Sequence, residues 1–261
     1  MSLRRIYAMN KRYFYTLIHS YDRLSDMFYW PIMDILIWGL TGIYFAKLST
    51  NPEETTTVLL TGLIFWIITW RTQYEVTVNL LTEMWDKNLV NLFSSPLKMS
   101  EWISSVMIYG GIKMFASLLF SASIAFVLYG YDFFRFGWWI VPFAINLCIM
   151  GWAIGFSVAS LIIRYGQKVQ TLAWTGAYIL VPFSAIYYPA AILPDWAIEI
   201  SKIIPASYVF EAMREHIKSG SVSIDKLIIS FALSVTYLLL SILLFTWAFN
   251  KSKQKGIGRL I

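Results

Sequence analysis

Four charged residues stand inside otherwise apolar stretches of this chain: Asp34, Arg71, Glu75 and Lys113. A charge at membrane depth costs about 3 kcal/mol on insertion scales, so such residues pair, face water or serve in ion movement. Arg71 and Glu75 lie four apart, on one helix face, where they can neutralise each other or line a path. Asp34 has no series of acids in the other stretches to relay a proton. It reads as an interhelical contact rather than a proton carrier. Lys113 follows Gly110 and Gly111 and either snorkels to the interface or enters a polar cavity.

Other chemistries are missing from the sequence. The histidines are His19 and His216, which fall on opposite sides of the expected membrane, so they assemble neither a metal site nor an acid–base pair within one chain. Cys148 is the single cysteine, which excludes an internal disulfide. No Gly-rich run ends in Gly-Lys-Ser/Thr, so no backbone cradle for nucleotide phosphates is present. We expect no catalytic residue, no metal and no cofactor in this chain.

The elements that position these residues follow from composition. Hydrophobic residues make up 58% of the 261 and charged residues 14%, with a mean hydropathy of +0.60, more apolar surface than a soluble domain of this size can bury. The expected fold is an all-α polytopic membrane protein in one domain, 1–261. A span needs roughly 20 apolar residues. Six windows qualify, at 27–47, 57–81, 102–129, 138–163, 169–187 and 226–249, and an even number puts both termini on one side. With the termini inside, Lys and Arg on the inner segments outnumber those outside fourteen to six, which is the bias that sets orientation. The charge of +6 thus reports topology rather than a nucleic-acid partner. No cleaved signal is expected, because the N-terminus opens on a basic amphipathic stretch.

Between and before the spans lie the segments with distinctive patterns. Residues 3–24, within a 1–26 interfacial segment, alternate apolar and basic residues at helical spacing, the pattern of a helix lying on a membrane surface or touching a cytoplasmic partner. Gly151, Gly155 and Ala159 form a small-residue ridge for close helix approach. The aromatic loop at 129–139 suits headgroup depth. In the inner loop, Leu89, Val90, Leu92 and Phe93 make an apolar patch beside Glu83, Asp86 and Lys87, and an amphipathic helix over 83–96 stopped by Pro96 fits them. In the outer region 188–225, Pro189, Pro194 and Pro205 divide the chain into short helices near 190–193, 195–204 and 206–219, the last ended by Gly220. Helices too short to span must be buried in protein or line a watery cavity. Residues 250–261 form a cytoplasmic tail.

Two of these patterns carry a resemblance. The inner run E-x-W-x-x-N-L-x-N-L-F-S-S-P-L at 83–97 and the outer Y-Y-P-A-x-x-L-P-x-W…P-x-S-Y-x-x-E-x-x-R at 187–214, together with the amphipathic N-terminus and six spans, make the whole chain similar to permease subunits of ABC type-2 exporters. The resemblance implies that Glu83, Asp86, Leu89, Val90 and Phe93 belong to a coupling helix that docks on a nucleotide-binding subunit. It implies that Pro189, Leu193, Pro194, Trp196 and Pro205 belong to re-entrant helices closing an outer gate. The family often has Gly-Thr-Leu-Glu where this chain reads Lys87-Asn88-Leu89-Val90, so an acidic contact is missing here. The resemblance further implies that two permeases pair around one path and that two cytoplasmic ABC ATPases hold the ATP and Mg. The setting implied is a bacterial or archaeal cytoplasmic membrane.

Trp38, Phe65, Trp66, Trp70, Trp174 and Tyr178 are the candidates for that path. Their rings suit a hydrophobic, drug-like or lipid-linked glycan substrate. An ion-coupled secondary transporter using Asp34, Arg71 and Glu75 is the alternative; paired broken helices in repeated halves would mark it, and the sequence shows one interruption, after the fifth window.

Overall fold

The computed structural model describes residues 1–49 and 51–254. Among them every regular element is helical. Ten α-helices follow in order: α1 Leu3–Ile18, α2 Tyr21–Leu48, α3 Pro52–Trp85, α4 Leu89–Ser94, α5 Met99–Tyr129, α6 Ile140–Tyr165, α7 Leu172–Thr175, α8 Asp195–Lys202, α9 Pro205–Ser219 and α10 Ile224–Gln254. The tail beyond Gln254 expected from the sequence lies outside the described residues.

Local chemistry sets these boundaries. α3 and α9 each begin with proline at the first helical position, where a missing N–H is harmless. Gly130 and Gly220 end α5 and α9 at φ of 64° and 71°, a conformation glycine adopts without a Cβ clash. The 3–24 amphipathic segment is not one helix: it breaks at His19, and Ser20 caps the start of α2.

Four helical stretches are long and apolar enough to cross a membrane: α2, α5, the 133–169 stretch containing α6, and α10. The two other expected windows depart from that simple form. α3 is 34 residues long but carries Thr57, Thr61, Thr69, Arg71, Thr72, Gln73, Glu75 and Thr77, all buried against protein. The window at 169–187 is not a single regular α-helix. It is divided into a 3-10 turn at Gly166–Val169, α7, and a 3-10 stretch Tyr178–Phe183 that contains Pro182. A proline inside a helix removes a hydrogen bond, and Gly176 weakens it further.

α3 is the central post, packed against α2, α5, α6 and α9, while α6 also makes the broad contact with α10. The expected small-residue ridge faces α3. A Cβ on Gly151 would lie 1.8 Å from Thr72 Oγ1, and one on Gly155 would lie 2.8 Å from Val76 Cβ. Two apolar cores result. One gathers Phe65, Phe133, Phe136, Phe143, Ile186 and Phe210; the other gathers Trp102, Tyr109, Phe156, Phe245, Leu89 and the inner face of α1. Between them α3 places its polar residues.

Candidate functional site: a buried charge cluster, an aromatic column and two end pieces

The polar residues of α3 between the two cores form a buried charge cluster. Arg71 is fully buried and pairs with Asp26 of α2 at 3.0 Å and with Glu75 at 3.7 Å; Glu75 in turn pairs with Lys113 of α5. Two acids and two bases thus leave the cluster neutral, as a buried site requires. The arginine also repairs a backbone fault. Pro31 has no N–H for the carbonyl of Met27, and that carbonyl accepts from Arg71 Nη2 and from Ser117 Oγ, both at 3.4 Å. The guanidinium carbon sits 5.0 Å from the Trp70 ring centroid. The spacing of Arg71 and Glu75 foretold their contact but not that with Asp26, which lies in the second turn of α2.

Asp34 lies outside this network. It is half-buried, and among the described residues it has neither an ionic partner nor a hydrogen bond. The polar interhelical contact expected for it is therefore not made among the described residues.

The aromatic candidates divide into two groups. Phe65 and Trp66 are packed inside the chain's own core, Phe65 against Phe133 with centroids 4.9 Å apart, and neither faces an open surface. The rest form a column along α2, α3 and the 172–187 segment. Trp174 stacks on Trp85 at 6.2 Å, Trp70 meets Tyr74 at 5.1 Å and Tyr178 at 6.5 Å, and Trp38 stacks on Tyr187 at 4.5 Å. A cavity lies at each end of this column. One, of about 740 Å³, is walled by Asp22, Arg23, Trp30, Tyr74, Trp85 and Trp174. The other, of about 650 Å³, is walled by Trp38, Glu54, Tyr187, Pro189, Arg214 and Lys218.

At the first end, the loop after α3 is joined rigidly to it. Asn88 N donates to Glu83 O at 2.9 Å and Lys87 N to Met84 O at 3.0 Å, a Schellman closure with Lys87 in the left-handed region at φ 54°. The helix expected over 83–96 is therefore two elements, the last turn of α3 and the six-residue α4. Their side chains point in different directions. Glu83 is buried, accepting from Arg12 Nη2 at 2.9 Å and from Asn88 Nδ2 at 2.6 Å. Partial burial pulls the Arg12 guanidinium down, but the Glu83 carboxylate outweighs it and raises its pKa above the usual value. Leu89 is buried beside Leu92, and Phe93 packs 4.4 Å from Phe249. The exposed surface consists of Trp85, Asp86, Lys87, Val90 and Asn91, followed by Ser94, Ser95 and Pro96.

At the other end, Pro189 precedes a single 3-10 turn, Leu193 and Pro194 lead into α8, and Pro205 opens α9. This segment is fastened by polar contacts. Glu211 accepts from Ala190 N at 2.8 Å and from Arg214 Nη2 at 2.9 Å, Tyr208 donates to Lys202 O at 2.8 Å, and Ser230 donates to Pro205 O at 2.8 Å. Trp196 remains exposed, its ring 5.9 Å from that of Phe183.

The family model of the ABC-2 type transporter matches residues 10–217. The match runs from α1 through α9, and the chain belongs to that family. It is an integral membrane permease of an ABC-type transporter, a transport component rather than the catalytic one. Comparison with curated proteins returned no match.

Proposed function

We propose that the chain is one of two permeases, identical or closely related, that together form an export path in a bacterial or archaeal cytoplasmic membrane. Both termini and the 85–91 surface face the cytosol, and α8 and α9 face outward. Six crossings agree with the helix lengths. α3 extends about 51 Å at 1.5 Å per residue. Around α7, Gln170, Thr171, Gly176 and Ala177 keep right-handed helical dihedrals, so residues 167–183 rise about 26 Å, close to the hydrocarbon thickness of roughly 30 Å.

The observation that carries this reading is the joint between α3 and its loop. Asp86, Val90 and Asn91 are exposed on a tip that the Schellman closure and the Arg12–Glu83 pair fix to α3 and α1. A cytoplasmic ATPase docking there moves α3, the post against which the other helices pack. Relative to the sequence reading, Asp86 and Val90 stay on the docking surface, Asn91 joins them, and the buried Glu83 and Leu89 leave it. The ATPase holds the ATP and Mg. The aromatic column lines the path for a hydrophobic or amphipathic substrate, and the segment from Pro189 to Pro205 closes its outer mouth.

Purification of the tagged chain from its own membranes tests this. The co-purifying material should hydrolyse ATP, and Val90→Asp with Asp86→Lys should release that activity while thermal unfolding of the permease stays unchanged. Retention of the ATPase by the doubly substituted chain would refute docking at this surface.

A further inference from the structure

Resting on the reading of the aromatic column as a path, we infer that this path takes organic cations, and that Asp34 with its neighbouring rings is the site that holds them midway. Trp30, Asp34 and Trp38 are spaced i, i+4, i+8 on α2 and share one face. Trp30 lines the cavity on the coupling-loop side, and Trp38 lines the cavity on the α9 side. Along that face Asp34 lies between the two cavities, one turn from a wall residue of each, and is itself part of neither wall. Trp38, one turn along α2 from Asp34, is stacked on Tyr187 at 4.5 Å.

The surroundings favour a ligand over an internal partner. Each of the buried charges Arg71, Glu75 and Lys113 has an ionic partner within the chain, whereas Asp34 has none among the described residues. A carboxylate at membrane depth without a counter-ion is costly, and a cation entering from water removes that cost. Aromatic faces supply the second half of the recognition, because their quadrupoles attract ammonium and delocalised cations while their area accepts an apolar body.

The entrance has the same sign. The cavity on the coupling-loop side is walled by Asp22, Asp26 and Asp86 against Arg23. Asp26 is held by Arg71, and Asp22 and Asp86 have no basic partner among the described residues. At the far cavity the cations are neutralised, Arg214 by Glu211 at 2.9 Å and Lys218 by Glu54 at 3.6 Å. The field is thus negative at the entrance and centre and balanced at the mouth, the gradient a cationic amphiphile needs to enter and leave.

Equilibrium dialysis of tetraphenylphosphonium against the full chain in nanodiscs, corrected for empty discs, tests the inference. Saturable binding is expected, with tetraphenylborate, its anionic counterpart, failing to compete. Asp34→Asn should weaken binding at least tenfold, Trp38→Ala severalfold, and Asp34→Glu should stay within about threefold of the parent. Wild-type affinity in Asp34→Asn, equal competition by tetraphenylborate, or no saturable binding would overturn it. Co-purification of the ATPase with Asp34→Asn separates the outcomes. If the ATPase is retained while tetraphenylphosphonium binding ignores Asp34, the cation site fails and the permease reading stands. If the ATPase does not co-purify with the parent chain, the permease reading itself fails.

Discussion

Arg12 of α1 and Glu83 of α3, 71 residues apart, form an ion pair of 2.8 Å in which the carboxylate is buried and the guanidinium is two-fifths exposed. The pair fastens the amphipathic helix to the joint from which the loop between α3 and α4 departs. A basic residue that reads in sequence as a membrane anchor is used here as an internal strut.

Replacing Arg12 with alanine leaves Glu83 buried with Asn88 as its remaining partner. Breaking a buried pair from one side costs about 3–5 kcal/mol, and the exposure of Arg12 brings the expected loss to about 2 kcal/mol. The double variant Arg12→Ala with Glu83→Gln should lose less than the single one, because no uncompensated charge remains. Thermal unfolding of the three proteins in detergent micelles checks this order.

Lys87 occupies the left-handed region with a side chain that gains nothing there, at the position where a Schellman closure favours glycine. Lys87→Gly should stabilise the chain by about 1 kcal/mol, whereas Lys87→Val, with a branched Cβ, should destabilise it. Unfolding midpoints and the rate of protease cleavage between α3 and α4 report both.

Gly151 and Gly111 make a matched contrast. A methyl at 151 collides with Thr72 Oγ1 and lies 2.6 Å from the carbonyl of Thr69, while at 111 the nearest atom is 3.8 Å away. Gly151→Ala is expected to cost about 2 kcal/mol or more by forcing α6 from α3, and Gly111→Ala to be neutral or mildly stabilising. Side-by-side melting curves decide it.

The sequence made helices and their ends legible wherever a local rule governs them. Gly220, Pro194 and Pro205 punctuate the outer segment, and Gly151 and Gly155 mark the α3–α6 contact, because each acts through its own backbone. Hydropathy was less informative where residues face protein instead of lipid. The 57–81 window falls within α3, whose buried threonines and charges set it apart from the four apolar stretches, and the 169–187 window hides Pro182 and Gly176 behind an apolar average. Side-chain direction was legible least. Glu83, Leu89, Phe65 and Trp66 have the residue types of a docking patch and a path, yet they are buried, since helical phase and tertiary packing decide which face is turned inward. Asp26 shows the converse, a residue whose use depends on Arg71, 45 positions away.

The most direct measurement is labelling of single cysteines at positions 90 and 195 in intact cells with a membrane-impermeant maleimide. The native Cys148 is buried, which keeps background low. Val90→Cys should react only after the membrane is permeabilised, and Asp195→Cys should react without permeabilisation. Labelling of position 195 only from the cytosolic side, or of position 90 from outside, would contradict a permease powered at the α3 joint and closed at the α8 segment.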